Sequence, residues 1–380
     1  MLKTFKYRLY PTKLQSTKMN KILELTRWVY NETLALRKNA WESEKKSISL
    51  YETNKKLVEW KSEKPELNDV FSQALQNAQL RVDLAFKAFF RRCKSGENPG
   101  YPRFKGKGRY HSITYPQSGF RLHPDGSVYL SKIDRVKVIL HRPIEGTIKT
   151  CTVKRTATNK WYVYFSCDIP SPEPLPKTGK IVGIDLGLQT YVQCSDGSKI
   201  DKPTFFKQGQ KSLAQVQRRF SKAKTRHNKH SVALVHERIA HKREDFCHKA
   251  ANKLVDSYDI IAHENLDIKE MFEQKKFSKS ISDAAWGTLV LFLAYKAENA
   301  GRTVVPVNPR GTSQRCSQCG TVVPKDLSIR VHHCPYCGFK ASRDLNSALE
   351  ILRLGLESVE RPTLRRKAGA RVRTHGSPRL

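Results

Sequence analysis

The chain has 380 residues, of which 70 are Lys or Arg and 35 are Asp or Glu, a formal charge of +35. That length holds two or three domains with real cores. The charge excludes an ordinary metabolic enzyme and points to a polyanionic partner, nucleic acid before any other. A membrane surface competes as the polyanion, but no long apolar run is present and the bases are spread through the chain, so no membrane partner is expected. Met1 to Pro11 is charged and alternating, so no signal peptide is expected. Cys93, Cys151, Cys167, Cys194 and Cys247 stand singly, which suits buried thiols in a reducing compartment rather than disulfides.

Taken in order, residues 2–10 alternate, with Phe5, Tyr7 and Leu9 on one strand face and Pro11 ending it. Helical patterns follow over about 12–45 and 48–62. The clearest helix runs from near Pro65 to Lys94, with Leu67, Phe71, Leu75, Ala78, Val82, Ala85, Phe86 and Phe89 at helical spacing. Gln73 and Gln76 lie on it. An amide can read adenine edges bidentately, although a solvated helix face fits them as well. Residues 95–111 form a Gly/Pro loop interleaving Tyr101, Arg103, Phe104, Lys105, Lys107, Arg109 and Tyr110. That composition suits a grip on phosphates with stacking on bases, the alternative being a solvated linker.

Short strands are predicted at 112–115, 127–130, 135–140, 147–154 and 161–167, with turns at Asp125-Gly126 and Asn159-Lys160. With the first strand they make a small β-barrel into which the helices of 12–94 are inserted. Pro170, Pro172, Pro174 and Pro176 then read as an extended spacer. Beyond it come a buried strand, Ile181 to Gly187, with one acid, Asp185, inside it; a second strand from Thr190 to Cys194; and a third begun by Lys199 to Asp201. A basic helical region follows, with no Asp or Glu from Lys202 to His236. A fourth strand, Tyr258 to Glu264, ends in an acid. A helix over about 284–299 and a fifth strand from Arg302 to Val307 complete the series.

Two Cys-x-x-Cys pairs, Cys316/Cys319 and Cys334/Cys337, are separated by 14 residues. Each pair folds two sulfurs to one side of a tight turn, and two pairs complete the tetrahedron of a structural Zn²⁺ site. Gly320 and Gly338 each follow a second cysteine, where the turn needs positive φ. Past them, Ser342 is placed to cap a helix that begins Arg343-Asp344-Leu345-Asn346, with Leu345, Ala348, Leu349 and Leu352 on one face. The final 20 residues hold seven Lys or Arg and no acid, the composition of a disordered tail.

Three meandering strands, helix, strand, helix, strand, zinc insert and helix is the order of the RNase H-like fold. In that fold the strands bearing Asp185 and Glu264 are neighbours, and Asp344 closes over them. Three carboxylates at one spot repel. They make sense as oxygen ligands for a pair of Mg²⁺ ions that activate a nucleophile and stabilise a leaving phosphodiester oxygen. A binding-only protein, such as a guided repressor or a transposase accessory protein, would not need the triad. A transposase proper would use another strand-transfer core or a Tyr or Ser nucleophile.

Gly183-Ile184-Asp185-Leu186-Gly187, His263-Glu264-Asn265-Leu266, the paired Cys-x-x-Cys and Arg343-Asp344-Leu345-Asn346 resemble the RuvC motifs of the TnpB family, insertion-sequence proteins ancestral to type V CRISPR effectors. Asn308 to Gln314 and Arg103-Phe104-Lys105-Gly106 are similar to that family too. The resemblance implies an RNA-guided DNA endonuclease in an α/β plus β-barrel fold. Residues 1–11 and 95–170 would be a wedge-like barrel and 12–94 an inserted helical recognition lobe. Residues 180–307 and 340–356 would be a RuvC-like nuclease, 308–339 a zinc-ribbon target-binding insert, and 357–380 the tail. It further implies Asp185, Glu264 and Asp344 as catalytic Mg²⁺ ligands, and a guide RNA from the transposon end. The target would be double-stranded DNA beside a short flanking motif, cut by a monomer in the ribonucleoprotein of a prokaryotic cytoplasm, associated with the nucleoid. Arg310 and Arg343 join Arg103, Phe104, Lys105, Lys107, Gln73 and Gln76 as nucleic-acid contacts.

Overall fold

In the first strand, β1 (Leu2–Tyr10), alternate residues Phe5, Tyr7 and Leu9 are turned inward and buried, while Leu2 and Tyr10 at its ends are exposed. The computed structural model to which this strand belongs describes residues 1–267, 271, 280, 283–326 and 329–360. They form two compact units, Met1–Pro170 and a second beginning at Ser171.

In the first unit, Thr12 starts α1 (Lys13–Glu44) with a capping box: its hydroxyl accepts from the Gln15 amide while the Gln15 side chain accepts from the Thr12 amide. Ser49 and Glu52 repeat the device at α2 (Leu50–Glu63). The single helix expected from Pro65 to Lys94 is divided. Pro65–Asp69 is a 3-10 turn, and Val70 is extended at φ −106°, ψ 139°. Phe71 also leaves helical geometry, and α3 spans Ser72–Lys94. The Asn68-Asp69 pair favours a turn, and Val70, buried, takes the extended backbone its branched side chain prefers.

The strands that follow are β2 (Ser112–Tyr115), β3 (Phe120–His123), β4 (Ser127–Leu130), β5 (Asp134–Ile139), β6 (Thr147–Arg155) and β7 (Trp161–Asp168). β3 goes beyond the sequence expectation. Its four residues are too few to display alternation, and they are held by pairing with β4 across Asp125-Gly126, where Gly126 has φ +73°. The antiparallel order β2-β6-β7-β1-β5-β4-β3 is a near-closed barrel, and α1 to α3 are inserted between its first two strands. Of the single cysteines, Cys151 and Cys167 are buried in this unit, but Cys93 at the end of α3 is exposed.

In the second unit the proline-rich stretch is extended but is not a free spacer. The Leu175 amide donates to the Ala300 carbonyl at 3.1 Å, and the Arg302 guanidinium donates to the Pro176 carbonyl at 2.7 Å. The amides of Thr178 and Gly179 donate to the Asp259 carboxylate at 2.9 and 2.8 Å. Then come β8 (Ile181–Asp185), β9 (Thr190–Cys194), β10 (Lys199–Asp201), α4 (Phe205–Lys222), α5 (Arg226–Ser257), β11 (Ile260–Glu264), α6 (Trp286–Asn299) and β12 (Thr303–Val307). The basic helical stretch is thus two helices, with Thr225 capping the second by accepting from the Asn228 amide at 3.1 Å.

The sheet runs β10-β9-β8-β11-β12. β8 to β10 are an antiparallel meander, and β11 is parallel to both β8 and β12, the RNase H-like order. Val182, Ile184, Tyr191 and Ile261 pack on one face with Leu254, Leu289 and Leu293 of α5 and α6.

α7 (Arg343–Glu360) lies against β8, β11 and β12. Its buried residues are Asn346, Ser347, Ala348, Glu350, Ile351 and Gly355, so of the leucine-rich face expected from the pattern only Ala348 is fully buried. The reason is closeness. A Cβ on Gly183 would fall 2.2 Å from the Ala348 carbonyl oxygen, and one on Gly355 would fall 2.5 Å from the Ala262 methyl. At that separation the contact takes small residues; Leu352 meets Gly183 through its amide and Cβ, and Leu345, Leu349 and Leu352 are half-buried. α7 also continues through Glu360, so residues 357–360 of the expected tail are helical; 361–380 lie outside the described residues. Before α7, β13 (Val331–His333) and β14 (Lys340–Ser342) pair antiparallel. Among the described residues no helix is long and apolar enough to cross a membrane.

Candidate metal centres

The four thiols of Cys316, Cys319, Cys334 and Cys337 lie within 4.8 Å of one another. Cys316 Sγ is 3.7 Å from Cys337 Sγ, and Cys319 Sγ is 3.6 Å from Cys334 Sγ. A tetrahedron with Zn–S bonds of about 2.3 Å has edges of about 3.8 Å, so the set fits a structural zinc. Each knuckle closes on itself: the Gly320 amide donates to the Cys316 carbonyl at 2.9 Å, and the Gly338 amide to the Cys334 carbonyl at 3.0 Å. Both glycines take the left-handed conformation, φ +75° and +73°. The hydroxyl and amide of Thr321 hold the Cys319 thiol down, to about 6.

The carboxylates are assembled differently. β8 and β11 run parallel with Ile184 opposite His263, so the next residues, Asp185 and Glu264, end the two strands side by side. Asp185 is two residues from Gly183, and Glu264 two from Ala262, the residues α7 touches, so both side chains share the α7 face. Asp344 enters from the first turn of α7, where Ser342 caps by accepting from the Leu345 amide at 3.2 Å. Burial, then the charges of Glu264 and Asp344, push Asp185 up to about 8, with Arg343 opposing. Burial also raises Glu264, against a hydrogen bond from Thr312. Uncompensated negative charge at the ends of two strands suits hard divalent cations. Among the described residues only the four thiols converge within 4.8 Å as a set; the three carboxylates are spread more widely.

Two residues that lie within the family-like motifs but carry no assigned role in the sequence reading touch this site or its carriers. Thr312, buried, donates its hydroxyl to the Glu264 carboxylate. Asn346, also buried, accepts from the Ser317 amide at 3.0 Å and donates to the Arg315 carbonyl at 2.8 Å, bracketing Cys316. An Asn among apolar residues inside a helix is a poor helix former, and that was the available signal.

The expected nucleic-acid contacts fall in several places. The loop bearing Arg103, Phe104, Lys105 and Lys107 is fixed to α1. Lys105 accepts on its carbonyl from Arg27 at 3.1 Å and Asn31 at 3.0 Å, and the Gly108 amide donates to Glu24 at 3.2 Å. Arg103, Phe104 and Lys107 are exposed, while the Lys105 ammonium lies over the Tyr30 ring at 5.5 Å. The start of the loop meets the last turns of α3, where Tyr101 packs on Phe86 and Phe89. Gln76, exposed, and Gln73, half-buried, sit at the other end of α3, about 15 Å or more along the axis. Arg310 is exposed, in the loop after β12 that also carries Thr312. Arg343 is turned inward, with its guanidinium 3.6 Å from Asp344 and 3.4 Å from the Ile329 carbonyl.

An RNase H-like sheet ending in paired acids, with a four-thiol ribbon inserted before its last helix, defines a RuvC-type nuclease architecture. Three family profiles match it: a Cas12f1-like TNB domain over residues 286–351, an OrfB "Probable transposase" over 164–275, and a "Helix-turn-helix domain" over 1–46. In this chain that last stretch is β1 and the single long helix α1. A Streptomyces pristinaespiralis protein named "Putative RNA-guided DNA endonuclease" is 35% identical over 93% of this chain and 89% of its own length. Escherichia coli K12 "Putative RNA-guided DNA endonuclease InsQ" is 31% identical over 93% and 92%. A Syntrophomonas palmitatica "CRISPR-associated endodeoxyribonuclease Cas12f1" is 26% identical over 63% of this chain and 51% of that protein. The chain belongs to the TnpB (OrfB) family of RNA-guided DNA endonucleases, related to Cas12f.

Proposed function

We propose that this protein cuts double-stranded DNA chosen by a guide RNA from the end of its transposon, hydrolysing phosphodiester bonds at Asp185, Glu264 and Asp344. The observation that carries the reading is the parallel register that ends β8 and β11 in adjacent acids on the face α7 closes. Carboxylate oxygens are the ligands that Mg²⁺ takes, and a pair of such ions is the arrangement that phosphodiester hydrolysis uses. When bound, such ions supply charge neutralisation and a water acidic enough to ionise near neutral pH. The residues' own part is to hold oxygen ligands at fixed strand ends and to keep Asp344 over them from the first turn of α7.

In this reading residues 1–11 and 95–170 act as the wedge, 12–94 as the recognition lobe, 180–307 and 340–356 as the nuclease, and 308–339 as the target-binding insert, in a monomeric ribonucleoprotein. Lys and Arg on phosphates position without specifying, so sequence choice rests with guide pairing and a short flanking motif. Arg103, Phe104, Lys107, Gln76 and Arg310 are the exposed candidates for contact with RNA or DNA. A guided repressor or transposase accessory protein would have no use for these half-buried acids.

The test is a plasmid library with a fixed guide match and randomised flanks, incubated with the purified ribonucleoprotein. Depletion of one short flanking motif, only with the matching RNA and only with Mg²⁺, is the expected result. Cleavage indifferent to the guide would overturn the guided reading.

A further inference from the structure

We infer that the segment entering the zinc ribbon, Thr312 to Ser317, is a strap that sets Glu264 and Asp344 in register, with Thr312 and Asn346 as its positioning residues. The inference rests on the proposed carboxylate site and adds how it is held.

The strap is fastened at both ends. At one, the Thr312 hydroxyl donates to Glu264 and lies 3.0 Å from the Pro309 carbonyl, in a turn where Gln314 and Arg315 donate to the Gly311 carbonyl at 3.0 and 2.8 Å. At the other, the Asn346 amide spans the backbone on either side of Cys316, while Arg315 reaches Glu350 of α7 at 3.4 Å. Asn346 stands two residues after Asp344 on the same helix. Cys316, between the two fastenings, is a thiol of the zinc set. One six-residue segment therefore touches a carboxylate on β11, the helix that carries a second carboxylate, and the zinc site. Both Thr312 and Asn346 are buried, 2% and 0% exposed, so their hydrogen bonds face no competition from water and fix direction as well as distance. Partners that orient a metal ligand in this way are worth 10–100-fold in metal affinity.

The experiment titrates Mn²⁺ into zinc-loaded, RNA-bound protein and follows the free ion by electron paramagnetic resonance. Thr312→Val keeps the side-chain shape and removes the hydroxyl, whereas Thr312→Ser keeps the hydroxyl. Asn346→Ala removes the clasp. Thr312→Val and Asn346→Ala are expected to weaken Mn²⁺ binding about 10–100-fold. Zinc content should stay at one per chain, and Thr312→Ser should restore wild-type binding. Cleavage by both weakened variants should recover as Mg²⁺ is raised, which a general loss of folded protein would not produce. Wild-type Mn²⁺ affinity in folded Thr312→Val and Asn346→Ala would overturn the strap and leave the carboxylate site standing. Wild-type protein that binds no Mn²⁺ through Asp185, Glu264 and Asp344 would overturn the site reading and the strap with it.

Discussion

The thiol centre and the carboxylate centre sit within one unit and are built on opposite principles. The thiols come from two four-residue loops, each closed by its own backbone hydrogen bond and a left-handed glycine, with Asn346 of α7 bracketing Cys316. The carboxylates come from three distant segments and meet only because β8 and β11 are parallel in a particular register and α7 presses on Gly183. The thiol site is a closed tetrahedron suited to holding a fold together. In the carboxylate site burial, and after it the charges of Glu264 and Asp344, push Asp185 upward, and a bound cation would relieve it. A centre assembled by local geometry is fixed by its own loops; one assembled by tertiary structure can hold carboxyl groups together against burial and like charge.

Breaking the carboxylate centre should have the largest effect. Asp185→Ala, Glu264→Ala or Asp344→Ala should each lower the cleavage rate roughly a thousandfold or more, as several kcal/mol of charge stabilisation is lost. Binding of guide RNA and target, measured by filter retention, should change little. Breaking the thiol centre should act on structure instead. Cys334→Ser should drop zinc from one per chain to none by elemental analysis and open the ribbon to limited proteolysis, while the β8–β11 amides stay protected from exchange. The contact joining β8 and α7, which carry Asp185 and Asp344, is the next target. Gly183→Ala places a methyl against the Ala348 carbonyl and should cost about 1–3 kcal/mol in urea unfolding.

The same contrast explains what the sequence could disclose. Cysteine spacing and the glycines after it are local facts, and they pointed directly to the thiol site. The alternation of Phe5, Tyr7 and Leu9 placed a strand for the same reason. The acids stood out through the family-like motifs around them and through element order, but nothing near Asp185 or Glu264 records which strand lies alongside. β3 escaped because four residues cannot establish a period, and the break at Val70 because a helical run of apolar positions continues across it. On the inner face of α7, Ala348 is fully buried and the expected leucines are half-buried. Gly183 and Gly355 set how closely that helix approaches, and both act at a distance in sequence. Thr312 and Asn346 are polar residues whose partners lie on other segments, so periodicity alone could not mark them.

The smallest effect expected is also the most direct measure of the strain. Asp185 is held up to about 8 in the folded chain against an ordinary value of 3.8. Between those two pH values the folded protein therefore binds more protons than the unfolded chain, and the sign follows: stability falls as pH rises through the window. Taken whole, a displacement of that size would be about 5–6 kcal/mol. That is an upper limit, because Asp185 is half-buried and water and counter-ions screen it. Asp185→Asn carries no such proton. Without added Mg²⁺ it should be about 1 kcal/mol more stable than wild type at pH 8, equal to it near pH 4, and flatter in between. Adding Mg²⁺ should raise the melting temperature of the wild type and close the gap, because a bound cation does for Asp185 what the proton did. Urea unfolding from pH 4 to 8, with and without Mg²⁺, measures both effects. A wild type whose stability is level across that range would mean that Glu264 and Asp344 do not burden Asp185, and the contrast between a relaxed thiol centre and a strained carboxylate centre would fail at its second term.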